Sequence, residues 1–99
     1  MSYEIIVGLE VTDDKKYSAY REAIAPLLNR HSGGFSYDFK ISEVLKNQED
    51  RPINRVFLLR FEDKAGMDAF FSNPEYKKIK AELFENSVKA ITIIAGYER

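Results

Sequence analysis

The segment from Arg55 to Phe61 is apolar throughout its centre and has the composition of a β-strand, but it does not alternate between apolar and polar residues. Because side chains on a strand alternate between two faces, Val56 and Leu58 point to one face, and Leu59 and the phenylalanines to the other. A strand that is apolar on both faces must be covered on both. The segment therefore predicts a central strand with a packing partner on each side of its sheet.

Upstream of this segment, the apolar pattern predicts one strand followed by one helix. Tyr3 to Val11 alternates with a period of two, which is typical of a half-buried strand. Thr12-Asp13-Asp14 supplies helix-capping oxygens, and apolar residues at helical spacing then continue to His31. We expect a kink at Pro26, and left-handed glycine at Gly33-Gly34 to end the helix.

A second strand is predicted from Gly34 to about Leu45, followed by a polar connection from Lys46 to Ile53. Its alternation places four apolar residues on one face, namely Phe35, Tyr37, Phe39 and Ile41. The next strand is the Arg55–Phe61 segment, so two strands follow each other without a helix between them.

The remaining residues predict a helical region and a final strand. Asp63 caps a short helix, and Asn73-Pro74-Glu75 restarts one, because asparagine caps well and proline fits the first helical position. Ala90 to Tyr97 is rich in β-branched residues and is predicted to be a strand. Its apolar side chains are predicted to divide between two faces, with Ile91, Ile93 and Tyr97 against Ile94.

The predicted order β-α-β-β-α-β indicates an α+β, ferredoxin-like fold with a four-stranded antiparallel sheet. Right-handed crossovers place both helical regions on the same face of the sheet. The other face then exposes a contiguous apolar surface, which usually marks an interface. We therefore expect a homodimer in which two sheets pack face to face.

The composition limits the expected binding partners and the expected cellular location. Residues 1–99 are predicted to form one domain, and 15 basic against 16 acidic residues give a net charge of -1. A near-neutral chain has no long-range field to attract nucleic acid or an anionic membrane, so neither partner is expected. The absence of cysteine excludes disulfides and thiolate metal sites. No signal-like leader and no apolar run of about 20 residues is visible, so a cytoplasmic location is expected.

Three familiar uses of the ferredoxin-like fold do not fit the residues. An RNA-recognition domain needs stacked aromatics in a pattern that R-V-F-L-L-R-F-E lacks. A phosphate site between the first strand and helix is disfavoured by the acidic sequence Thr12-Asp13-Asp14. A two-cluster ferredoxin needs cysteines, which are absent.

Three stretches of the chain resemble a known superfamily: Tyr17 through His31 to Phe35, then Phe57 to Phe61, then F-F-S-N-P-E-Y from Phe70 to Tyr76. They are similar to uncharacterised small domains of the dimeric α+β barrel superfamily, which also contains the antibiotic-biosynthesis monooxygenases. The resemblance implies a face-to-face dimer and a small apolar pocket between helices and sheet in each subunit. It implies no cofactor, and the haem-degrading members carry an Asn, Trp and His set, whereas this chain has no tryptophan.

His31 and Arg60 are the candidate catalytic residues. His31 is the one histidine and could transfer protons near neutral pH, although the simpler interpretation is a structural role at a helix end. Arg60 could anchor an acidic or enolate-bearing ligand, or form a structural ion pair with Asp38, Glu10 or Glu62. A lone histidine without a cluster of acids does not predict a metal site.

Tyr20, Tyr37 and Tyr76 are the candidate ligand-binding residues, because a phenol adds a hydrogen-bonding group to an apolar pocket. Aromatic residues at helical spacing are more often part of the hydrophobic core than of a binding site. The basic cluster Lys77, Lys78 and Lys80 is predicted to be a solvated helix face.

Two functional hypotheses follow. The first is a non-catalytic homodimer that binds a small organic ligand or a protein partner. The second is a cofactor-independent oxygenase or isomerase acting on an aromatic or enol substrate, which requires His31, Arg60 and Tyr20 or Tyr37 to converge on one cavity.

Overall fold

A computed structural model of the chain describes residues 2–99. The strands are β1 (Tyr3–Val11), β2 (Gly34–Lys40), β3 (Arg55–Phe61) and β4 (Val88–Glu98). The helices are α1 (Asp14–Arg30), α2 (Lys64–Ser72) and α3 (Pro74–Ile79), and α3 continues into a π-helical turn at Lys80–Phe84. Within this part of the chain, no helix has both the length and the apolar character needed to cross a membrane.

The four strands form one antiparallel sheet in the order β2-β3-β1-β4. In the two central strands Ile5 lies opposite Leu59, and Val7 lies opposite Phe57. These residues form one core with the buried side chains of α1, α2 and α3. Element order, sheet and helix placement confirm the predicted ferredoxin-like α+β fold.

Helix α1 begins and ends at identifiable capping groups. The Asp13 side chain accepts a hydrogen bond from the Lys16 amide at 3.0 Å, and the helix then continues through Pro26 to Arg30. At its C-terminal end the Gly33 amide donates to the Leu28 carbonyl at 2.8 Å, which is the long bond of a Schellman motif.

The left-handed residue of this motif is Ser32, with a φ of 55°, so the prediction of a left-handed glycine there is wrong. Gly33 has a different reason to be glycine. A Cβ atom at this position would lie 2.8 Å from the Phe61 ring, so glycine allows the helix end to approach β3 closely.

A β-bulge in β2 changes which of its aromatic residues share a face. The register shifts between Phe35 and Tyr37, so Phe35 lies opposite Leu59 on the helix side, while Tyr37 lies opposite Leu58 on the other side. The predicted single apolar face of β2 is therefore wrong. The strand also ends at Lys40, earlier than predicted, and a long connection leads to β3.

A second bulge changes the faces of β4. The register with β1 shifts between Ile6 and Val7, so that Ile94 lies opposite neither residue. As a result Ile93 faces the helices, whereas Tyr97 lies on the opposite face and donates a hydrogen bond to Glu4 at 2.8 Å. The predicted grouping of Tyr97 with Ile93 is wrong for this reason.

The sheet face away from the helices has an apolar, aromatic surface. Tyr37 and Phe39 are 54% and 50% exposed, and their rings stack at 5.8 Å. Leu58 lies beside them on β3 and is half-buried. At one end the connection between β2 and β3 covers this face, because the Ile53 side chain packs on Gly8. The centre of the face stays uncovered in the single chain.

Candidate functional site

A cavity of about 620 Å³ lies between the helices and the sheet. This volume is within the range of small-molecule sites, and the lining is mainly aliphatic and aromatic, as such sites require. Every secondary-structure element contributes to it. The lining residues are Tyr3, Ile5, Val7, Tyr20, Ile24, Phe35, Phe57, Leu59, Met67, Phe71, Tyr76, Lys77, Lys80, Phe84, Ile91, Ile93 and Gly96.

Two tyrosines supply a polar pair to this lining. Tyr20 of α1 and Tyr76 of α3 are buried, and their hydroxyl oxygens are 3.0 Å apart. One hydroxyl donates to the other, so each phenol is satisfied without a ligand, and one proton remains available for donation. The structure thus brings together two of the three predicted ligand-binding tyrosines.

Burial raises the pKa of the Tyr20 phenol, and the neighbouring Tyr76 phenol raises it further. Burial likewise raises the pKa of Tyr76, although its hydrogen bond with Tyr20 offsets part of the effect. Both hydroxyls are therefore protonated at neutral pH. They can orient a ligand by hydrogen bonding, but they are poorly suited to act as general bases.

Lys77 and Lys80 are the charged groups of the lining. Both lie in the segment predicted to be a solvated helix face, and Lys78 between them is exposed and outside the lining. The sequence pattern missed the two lysines because a basic helix segment is normally solvated, and only the tertiary packing shows that it borders a cavity. For Lys80 the available signal was its spacing of four residues from Tyr76, which places the two side chains on one helix face. Lys77 directly follows Tyr76 and gave no such signal.

His31 lies at the C-terminal end of α1, outside the cavity lining. Its Nδ1 is 2.9 Å from the Leu27 carbonyl oxygen, to which it donates in the matching tautomer. The ring meets Phe70 edge-on with centroids 5.8 Å apart. These contacts are those of the structural alternative, in which the imidazole satisfies a free carbonyl at the helix end.

Arg60 and Tyr37 lie on the sheet face that points away from the cavity. Arg60 is exposed, lies opposite Glu4 in the register, and forms no ion pair within residues 2–99. Asp38, a predicted partner of Arg60, instead lies 2.7 Å from Arg21. His31, Arg60 and Tyr37 thus do not line the cavity with Tyr20 in one subunit.

Arg55 is the buried arginine of β3, and the sequence pattern did not single it out. Its side chain is 7% exposed, its guanidinium lies 4.8 Å from the centroid of the Tyr17 ring, and it is 3.5 Å from an Asp14 oxygen. Its position in the strand was a usable signal, because Arg55 shares the helix-facing side with Phe57 and Leu59. It fixes the N-terminal end of α1 against the sheet.

The family model described as "Domain of unknown function (DUF1330)" matches residues 2–97. No curated protein matches the chain significantly.

Solved structures share the fold at low sequence identity. A protein of unknown function from Rhodopseudomonas palustris, RPA0582, has a TM-score of 0.82 and 14% identity, over 99% of this chain and 82% of its own. A putative antibiotic biosynthesis monooxygenase from Bacteroides thetaiotaomicron has a TM-score of 0.65 and 17% identity, over 98% and 89%.

A dimeric ferredoxin-like protein of unknown function from Jannaschia sp. CCS1 has a TM-score of 0.58 and 21% identity, over 100% of both chains. The predicted resemblance to dimeric, ferredoxin-like proteins related to the antibiotic-biosynthesis monooxygenases is thus confirmed. At these identities the likeness concerns the fold alone.

Proposed function

Because the chain belongs to the DUF1330 family, a domain family of unknown function, we propose its function from its own geometry. It is a homodimer paired through the uncovered sheet face, and the cavity of each subunit binds a small organic molecule without catalysis. The observation that carries the proposal is the cavity of about 620 Å³, apolar in its body and bordered by a few polar groups.

The proposed dimer is supported by the surface opposite the cavity. Tyr37 and Phe39 form an exposed aromatic pair beside Leu58, and contiguous apolar surface of this kind is typical of interfaces. A second copy would place the same patch against itself, as a two-fold symmetric interface requires. A neighbour of the same fold is described as dimeric, which supports a dimer.

Binding is favoured over catalysis by the chemistry of the cavity. A cofactor-independent oxygenase or isomerase needs a group that can exchange a proton near neutral pH. His31 lies outside the lining, and Tyr20 and Tyr76 hold their protons firmly. The cavity therefore offers shape, apolar surface and hydrogen bonds, which suffice for binding.

A cavity-narrowing variant with a neighbouring control tests this proposal. Ile93 lines the cavity and is 64% exposed, so Ile93→Trp adds bulk at the rim without disturbing the buried core. Ile94 is 50% exposed and outside the lining, so Ile94→Trp is the matched control. Titration with the apolar dye N-phenyl-1-naphthylamine should show binding to the native protein and to Ile94→Trp, and at least about tenfold weaker binding to Ile93→Trp.

Melting temperature and solution mass show whether each variant keeps the native fold and assembly. A native protein that does not bind the dye, or an Ile93→Trp variant that binds it as the native protein does, would contradict binding in this cavity. A native monomer at micromolar concentration by light scattering would contradict the dimer.

A further inference from the structure

Lys77 and Lys80 give the cavity a positive charge that no acid neutralises. Lys80 is half-buried and Lys77 is exposed, and neither nitrogen lies within 4.0 Å of a carboxylate in the part of the chain that the structure describes. The lining contains no aspartate or glutamate. An apolar cavity with two unpaired ammonium groups is therefore complementary to an apolar molecule that carries a negative charge.

The π-helical turn that begins at Lys80 keeps Phe84 on the cavity side of the helix. Tyr76, Lys80 and Phe84 all line the cavity at intervals of four residues. In a regular α-helix this spacing drifts by about 80° over eight residues, which would carry the last residue away from the cavity. The wider turn, closed by a hydrogen bond from the Glu85 amide to the Lys80 carbonyl at 2.9 Å, reduces the drift. Such turns frequently occur at functional sites.

We propose that the ligand is an amphipathic monocarboxylate, with its hydrocarbon body in the cavity and its carboxylate bound by Lys77 and Lys80. This inference rests on the proposed function and names the ligand class of the same cavity. A carboxylate fits better than a phosphate ester, because the lining contains no arginine that could bind a phosphate in a bidentate manner. Both lysines line an apolar space, next to which a charge-assisted bond is stronger than in bulk water.

Octanoate and octan-1-ol are suitable probes, because they share a chain length and differ in charge at one end. Isothermal titration calorimetry of the native protein should show octanoate binding about tenfold or more tightly than octanol, as one charge-assisted hydrogen bond would provide. The double variant Lys77→Met/Lys80→Met removes both charges and keeps unbranched apolar side chains. It should bind the two probes with similar affinity, and its affinity for octanol should match that of the native protein.

Lys78→Met is the matched control, because it removes the same charge from the same helix outside the lining. It should keep the native preference for octanoate, which separates a local contact from a general effect of net charge. Melting temperatures of all variants establish that the fold is intact.

Each contrary result has a distinct meaning. Equal binding of octanoate and octanol to the native protein, or an unchanged preference in the double variant, overturns the carboxylate site and leaves the proposed apolar cavity standing. Loss of octanol affinity in the double variant overturns it as well, because the lysines would then act through packing. If neither probe nor the dye binds the native protein, the proposed function falls together with this inference.

Discussion

The two faces of strand β3 carry similar side chains but have different surroundings. On the helix side Phe57, Leu59 and Phe61 are 7%, 3% and 0% exposed, because three helices pack over them. On the other side Val56 and Leu58 are only half-buried, and the neighbouring aromatic residues of β2 are exposed. Strand β3 is thus covered by helices on one face and largely uncovered on the other.

This difference shows that helices can cover a sheet face without filling all the space beneath them. The helices cover one face but leave an open volume of about 620 Å³ towards β4, where Ile93 and Gly96 form part of the wall. The centre of the other face is uncovered, with Tyr37 and Phe39 exposed on it. Because protein interiors are normally close-packed, the open volume supports the proposed ligand, whereas the uncovered apolar face supports the proposed partner.

The largest loss of stability is expected from a cavity-creating substitution in the core between the helices and the sheet. Phe61→Ala should lower the free energy of unfolding by about 3–5 kcal/mol, because the fully buried ring contacts Phe70 and Phe71 and leaves a void when removed. Chemical denaturation at fixed protein concentration measures this loss. The neighbouring exposed Glu62→Ala should change stability by less than about 0.5 kcal/mol, and a similarly small loss for Phe61→Ala would contradict the core assignment.

The element order and the two-sided character of β3 could be predicted from the sequence because both depend on local periodicity. Tyr3–Val11 was bounded correctly for the same reason, since its alternation is uninterrupted. The bulges at Phe35/Tyr37 and Ile6/Val7 could not be predicted, because a bulge is a property of the hydrogen bonds between two strands. Each bulge reverses the faces of all residues beyond it, so small register changes caused the largest errors.

The candidate site was less predictable, because a cavity is a property of tertiary packing. Tyr20 and Tyr76 could be proposed from residue type alone, but their contact joins residues 56 positions apart in the sequence. Lys77 and Lys80 resembled any solvated helix face. Arg60 was singled out because its neighbours in the sequence are apolar. The buried arginine of β3 is instead Arg55, and its burial depends on the position of α1 above it.

The second prediction concerns a charge introduced on the uncovered face. Leu58→Glu should weaken dimerisation at least about a hundredfold, because an unpaired charge in an apolar interface costs several kcal/mol. Light scattering or sedimentation at micromolar concentration should show a shift from dimer to monomer. Ala19→Glu, which adds the same charge on the exposed side of α1, should keep the native mass. An unchanged mass for Leu58→Glu would assign the interface to another surface.

The third prediction compares hydroxyl groups on the two faces. Tyr20→Phe or Tyr76→Phe should each cost about 1–3 kcal/mol, because the remaining buried hydroxyl loses its partner. The double variant should lose much less than the sum, which a double-mutant cycle measures. Tyr97→Phe on the opposite face should cost less than either single change, since Glu4 also contacts Arg99. Additive losses for Tyr20 and Tyr76 would show that the two hydroxyls are not coupled.

The last prediction is a loss of stability in alkali that comes from the helix-side tyrosines. Burial is the main cause that raises the pKa of Tyr17, Tyr20 and Tyr76, whereas an unfolded tyrosine has a pKa of about 10. Above that pH the unfolded chain releases protons that the folded chain keeps, so stability is complete below about pH 10 and falls as the pH rises. Each such group contributes a slope of up to about 1.4 kcal/mol per pH unit.

Denaturation midpoints at pH 9, 10 and 11 measure this slope, and Tyr20→Phe/Tyr76→Phe should make it shallower, because two of the contributing phenols are gone. An equal slope in the double variant would assign the alkaline sensitivity to groups outside the cavity. Because Tyr20 and Tyr76 keep their protons while the chain is folded, they ionise when it unfolds. A ligand that binds the cavity stabilises the folded state and should therefore shift the appearance of their tyrosinate absorbance to higher pH in an alkaline titration. If this shift to higher pH is lost in Ile93→Trp and retained in Ile94→Trp, the ligand lies on the helix side of the sheet.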